Sequence, residues 1–198
     1  MIKKINDRGY SLIEAIIVLA IAATIAGIAV WGYQSIKSST SIRTTTSDLF
    51  SDMLSTQIQA LTQRKTFFIV FGANNYTIYE DTYNAADPTS KEGDGILSIN
   101  AGQDLKIGVY PKNPYYNIFL TTGDGKTVCG TTICFDQQGL FSFYQINNNV
   151  VTLSGTKAIV HFDFTNLSTA PEYSCVVIEK TRIIKGEWIS ASNVCATK

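Results

Sequence analysis

The sequence predicts an α+β protein: one long N-terminal helix followed by a C-terminal domain of short antiparallel strands. Three observations lead there. An apolar run broken by a single carboxylate, Glu14, occupies Leu12 to Tyr33. Apolar residues at helical spacing then continue to about residue 63. From Arg64 onward, β-branched and aromatic residues alternate with recurrent turn signals, and one helix followed by a series of strands is the signature of an α+β fold. The expected boundaries fall at 1–9, 10–34, 35–63 and 64–198: a short basic leader, an apolar helix half, an amphipathic helix half and the β domain.

Composition limits the function. The 198 residues are 45% hydrophobic and 16% charged with a net charge of zero, so there is no chain-wide field to attract nucleic acid. One histidine and no His/Asp/Glu cluster leave little material for a metal site or a general-base constellation, and no cofactor is expected. No GxSxG elbow, phosphate loop, HExxH or GxGxxG is present, so the chain reads as a non-enzyme. "GDGKT" at Gly123 to Thr127 reads as a turn. His161, alternating with Val160 and Phe162 in "IVHFDF", reads as a structural strand residue.

The first helix half, Leu12 to Tyr33, is roughly 33 Å long, close to the hydrocarbon thickness of a bilayer. It is long enough to span. Lys3, Lys4 and Arg8 precede it and Lys37 and Arg43 follow, a bias that places the N-terminus in the cytoplasm and the bulk of the chain outside. Small residues are scattered through the run rather than gathered after it, so cleavage at its end is not expected. On hydropathy alone it is an uncleaved anchor, with Glu14 tolerated near the interface. From Ser35 an amphipathic half follows: Ile42, Leu49, Met53, Ile58 and Leu61 form a stripe widened by Phe50 and Leu54, as expected of a helix packed on a sheet.

"TFFIVF", "GANN" and "YTIYE" then read as a β-hairpin. Asp81 to Gly95 is polar and turn-rich, an expected exposed loop. Further strands are expected at Leu105 to Tyr110, Thr127 to Phe135, Leu140 to Gln145, Val150 to Leu153, Ala158 to Phe164, Cys175 to Ile178 and Arg182 to Ile184. The four cysteines, Cys129, Cys134, Cys175 and Cys195, point to disulfides if the domain is exported. Of the pairings open to them, the two local ones, Cys129 with Cys134 and Cys175 with Cys195, are favoured.

"RGYSLIEAIIVLAIAATIAGIAV" resembles the N-terminal motif of type IV pilins and type II secretion pseudopilins. In that family a basic leader ending in glycine precedes an aromatic residue and a "TLIE"-like run; Tyr10 and Ser11 stand here for the usual Phe and Thr. The resemblance implies that prepilin peptidase cuts between Gly9 and Tyr10 and that the new N-terminus at Tyr10 is methylated. Glu14 would then face the α-ammonium of a neighbouring subunit, since a charge that is costly alone in an apolar bundle is far less so when paired.

It further implies an inner-membrane protein with a periplasmic globular domain that joins a fibre through its N-terminal helix. Its partners would be other subunits, prepilin peptidase and an inner-membrane assembly platform. "TICFDQQGLFSFY" and "CVVIEKTRIIKGEW" resemble the strand turn and closing strand pair of the FimT/GspH-like minor subunits, which implies a place at or near the fibre tip. Residues 81–126 have no counterpart in that resemblance. Some FimT-like subunits are associated with DNA capture, which makes Lys180, Arg182 and Lys185 a candidate phosphate-binding strip, set against the plainer reading of a solvated edge.

Overall fold

The computed structural model describes residues 12–72, 75–84, 86–87, 93–99, 104–111, 118–122, 127–128, 132–147, 150–153, 157–162 and 171–197. The chain divides into two units, Met1–Ser38 and Ser39–Lys198. Helix α1 (Leu12–Gln63) supplies the whole described part of the first unit and the opening of the second. In the first unit every described side chain from Leu12 to Ile28 is exposed. The Thr24 hydroxyl is satisfied within the helix, donating to the Ile21 carbonyl at 2.8 Å.

In the second unit α1 is followed by β1 (Phe67–Phe71), β2 (Asn75–Glu80), β3 (Leu105–Pro111), β4 (Ile118–Thr122), β5 (Thr127–Val128) and β6 (Thr132–Phe135). Then come β7 (Phe141–Asn147), β8 (Val150–Leu153), β9 (Lys157–Phe162), β10 (Cys175–Glu179), β11 (Ile183–Ile189) and β12 (Val194–Thr197). They form two six-stranded sheets, ordered β3-β2-β1-β6-β7-β8 and β12-β11-β10-β9-β4-β5. All pairings are antiparallel. The α+β class expected from the sequence is the class observed.

One apolar core joins the helix to both sheets. Ile42, Leu49, Met53 and Ala60 of α1 meet Phe67, Ile69, Ile133 and Phe135 of the first sheet and Val160, Phe162, Val176 and Ile178 of the second. The Phe141 amide donates to the Lys180 carbonyl at 3.0 Å, a backbone link from one sheet to the other.

The expected stripe on α1 is displaced. Its buried positions are Ile42, Thr46, Leu49, Met53, Thr56, Gln57 and Ala60, whereas Leu54, Ile58 and Leu61 are exposed. Polar residues reach the core because each finds a partner there. Thr46 and Thr56 donate to the carbonyls of Ile42 and Asp52, and Gln57 Nε2 donates to the Gly139 carbonyl at 2.9 Å. The helix ends as Arg64 turns left-handed, φ 54°, and Lys65 pairs with Glu80 across the first hairpin.

Two strand expectations are corrected. Thr127 to Phe135 is not one strand: β5 lies in the second sheet and β6 in the first, so the chain changes sheets between them. The closing strand begins at Ile183 and runs to Ile189, leaving Arg182 in the turn before it. Sequence reading also missed β4 and β12, whose short segments carry little alternation of their own.

The β6–β7 turn, Asp136 to Leu140, shows why "DQQG" stands there. Asp136 Oδ1 accepts the Gln138 and Leu140 amides at 2.8 Å each. Gly139 is left-handed, φ 67°, and a Cβ on it would lie 2.6 Å from Leu61 Cγ. The missing side chain thus lets the turn dock on α1. Gly139→Ala is expected to lower folding stability by about 1–3 kcal/mol, from backbone strain plus the clash with Leu61. A denaturant midpoint equal to that of the parent chain would refute this account.

Candidate assembly segment and polar sites

Gly9 and Tyr10 lie outside the described residues. Glu14 is described, exposed, in the first turn of α1, where a carboxylate interacts favourably with the helix dipole. Around it, Leu12 to Ile28 presents only apolar side chains apart from Glu14 and Thr24. Among the described residues no helix is long and apolar enough to cross a membrane.

Lys180, Arg182 and Lys185 do not form a strip along one strand. Glu179 and Arg182 exchange backbone hydrogen bonds that close a tight turn, with Lys180 and Thr181 at its tip. The Arg182 guanidinium pairs with Glu179, and that bond holds the Glu179 carboxyl below the usual carboxylate range and raises Arg182. Lys157 lies 3.8 Å from the same carboxylate. Lys185 turns instead toward aromatic rings, its Nζ 5.1 Å from the Phe50 centroid and 5.0 Å from that of Tyr173. Lys180, at the tip of the turn, is exposed.

Cys175 and Cys195 form a disulfide. Cys134 is buried on β6, and its expected partner Cys129 lies outside the described residues. The bond joins β10 to β12, strands separated in the sheet by β11. Their Cα atoms are nonetheless 6.1 Å apart, well under two strand spacings, so this edge of the sheet curls. Gly186 of β11 allows it: a Cβ there would lie 2.5 Å from the Ala196 carbonyl oxygen and 2.7 Å from Cys195 Sγ. Beside the bond, Ile159, Val177 and Trp188 make a second apolar cluster. The His161 ring stacks on Trp188 with centroids 3.7 Å apart and planes 5° from parallel, a packing role for the one histidine.

The segment after β2 departs from expectation in a different way. Asp81, read as the start of an exposed loop, is 3% exposed. Its Oδ2 accepts the Gly95 amide at 2.7 Å. Burial, opposed by that bond and reinforced by Asp104 and Asp94, raises its pKa from 3.8 to about 6. Asp104 organises the same loop, accepting the amides of Thr82, Tyr83 and Ser98. The sequence signal was present in the Asp and Gly residues of "EGDG", which suit turns and say nothing about burial. Among the described residues no three His, Cys, Asp or Glu side chains are grouped to hold a metal.

Comparison with known families finds the prokaryotic N-terminal methylation motif over residues 4–30, a span that includes Gly9, Tyr10 and Glu14. No curated protein and no solved structure gave a match. The motif supports a protein of the type IV pilin or pseudopilin type, a structural subunit rather than an enzyme. It implies processing by prepilin peptidase and assembly with other pilin-type subunits, from a membrane-anchored precursor.

Reduction of Cys175–Cys195, or Cys195→Ser, is expected to cost about 2–4 kcal/mol of stability in the second unit. Guanidinium unfolding with and without reductant measures it, and coincident curves would show that the sheet edge does not depend on the bond.

Proposed function

We propose that the chain is a minor pilin or pseudopilin, a structural subunit of a type IV pilus or a type II secretion pseudopilus. In this reading prepilin peptidase removes residues 1–9 and methylates Tyr10, the apolar half of α1 holds the subunit in the inner membrane, and the β unit lies on the periplasmic side. The observation that carries it is the methylation motif together with an exposed apolar stretch of α1, Leu12 to Ile28, whose one carboxylate, Glu14, follows Gly9 by five residues.

The ion pair gives Glu14 its role. Cleavage creates a cation at Tyr10, and a helix too stiff to bring that cation back onto its own Glu14 leaves the carboxylate to meet the ammonium of another subunit. Such a pair favours one axial register, because any other stagger leaves both charges among apolar neighbours. A retained Glu14 also supports a position with a further subunit above it in the stack. The closing hairpin and the FimT/GspH resemblance of "FDQQG" support placement at or near the tip. The DNA-binding reading is not preferred, since Arg182 is occupied by Glu179 and Lys185 by Phe50 and Tyr173.

Mass spectrometry of the mature protein is expected to find an N-terminal N-methyltyrosine at position 10, and an intact Met1 would overturn the reading. Glu14→Ala is expected to leave membrane insertion unchanged while sharply reducing incorporation into sheared fibres; normal incorporation would remove the proposed ion pair.

A further inference from the structure

The connection between β2 and β3 is held by carboxylates rather than by apolar packing. Asp81 closes β2, its amide donating to the Thr66 carbonyl at 3.0 Å, and its carboxyl is buried beneath the segment 93–95. Gly93 lies directly on that carboxyl: a Cβ at Gly93 would sit 2.0 Å from Asp81 Cγ and Oδ1. The Gly95 amide donates to Oδ2, while Oδ1 is buried and accepts no hydrogen bond from any described group. On the other side lies a cavity of about 380 Å³ lined by Asp81, Gly93, Gln63, Arg64, Lys65, Thr66 and Gln137.

The charged groups around Asp81 set the sign of its response. Burial is the largest cause that disfavours ionisation of Asp81, and the carboxylates of Asp104 and Asp94 add to it, while the backbone amides of Gly95 and Asp94 act in the opposite direction. Arg64 and Lys65 face the cavity from the α1–β1 connection, but Lys65 is engaged by Glu80. From the β6–β7 turn the cavity receives only the neutral Gln137, and Asp136 is turned to the amides of Gln138 and Leu140. Among the described residues the closed loop therefore encloses a buried carboxylate with one oxygen that accepts no hydrogen bond and two like charges nearby, an arrangement that opening to water would relieve.

We propose that Asp81 is a proton-sensitive latch: the segment 93–99 closes firmly over it when the carboxyl is neutral and opens more readily when it is ionised. The folded pKa, about 6, lies above the ordinary 3.8. The closed state thus takes up a proton that the open state does not until the pH is lower, and the closed state gains on the open one as pH falls through about 6. Opening at neutral pH widens the cavity at the end of α1. Acidification seals it.

The test is amide hydrogen exchange on the full chain in detergent micelles, read by mass spectrometry over peptides covering 93–99 and corrected for intrinsic rates. Protection of this segment is expected to rise by roughly tenfold as the pH is lowered from about 7 to about 5. Asp81→Asn is expected to abolish that dependence and to hold the loop at its acid level of protection throughout. Asp94→Asn, which keeps the buried acid, is expected to move the midpoint to lower pH. A parent chain with pH-independent protection would overturn the latch, as would a titration that persists in Asp81→Asn or a midpoint unmoved in Asp94→Asn.

Discussion

The main core of the second unit depends on one face of α1 being buried against two sheets at once. Ile42, Leu49, Met53 and Ala60 supply a single apolar surface on which Phe67, Ile69 and Phe135 of one sheet and Val160, Phe162 and Val176 of the other converge. Neither sheet has a core apart from that helix on this side. At about 25 cal/mol per Å² of apolar area removed from water, such shared burial is the dominant favourable contribution to the fold. It also explains why the "DQQG" turn is shaped to touch α1, and why polar residues on the buried face carry their own partners.

The same constraint divides the helix surface. Leu54, Ile58 and Leu61, at i, i+4 and i+7, lie to one side of the buried face and stay exposed in the second unit, as Leu12 to Ile28 do in the first. A helix that served only its own domain would have its long aliphatic residues turned inward. Here a large part of the apolar surface is left over. That surplus is what the proposed fibre reading needs, because a subunit that assembles through its helix must keep apolar surface free after folding.

The sequence made some of this legible and concealed the rest for physical reasons. The α1 boundary at Gln63 and strands such as Val150–Leu153 stood out because β-branched runs and turn residues act locally. The phase of the buried stripe did not, because Thr46, Thr56 and Gln57 look polar by type yet satisfy their polar groups within the core. The change of sheet between β5 and β6 was invisible for another reason: neither segment's pattern names its partner strand. In the same way Asp81 looked like any turn residue, and its burial arises from Gly93 and Gly95 lying over it. The methylation motif was legible because its chemistry depends on spacing along the chain alone. The basic residues near the C-terminus were misplaced because a tight turn, and not a continuous strand, carries Lys180 and Arg182.

The disulfide across β11 has a topological consequence. Cys175 and Cys195 sit on strands that are not neighbours, and the strand between them passes close to the bond at Gly186, a residue with no side chain. β11 lies inside the loop that the bond closes, so no strand has to pass through it. What the bond changes is how the edge can fray: β12 cannot peel away from β11 without pulling on the first residue of β10, the third strand of the sheet. The clasp thus converts loosening of the last strand into an event that the middle of the sheet must share.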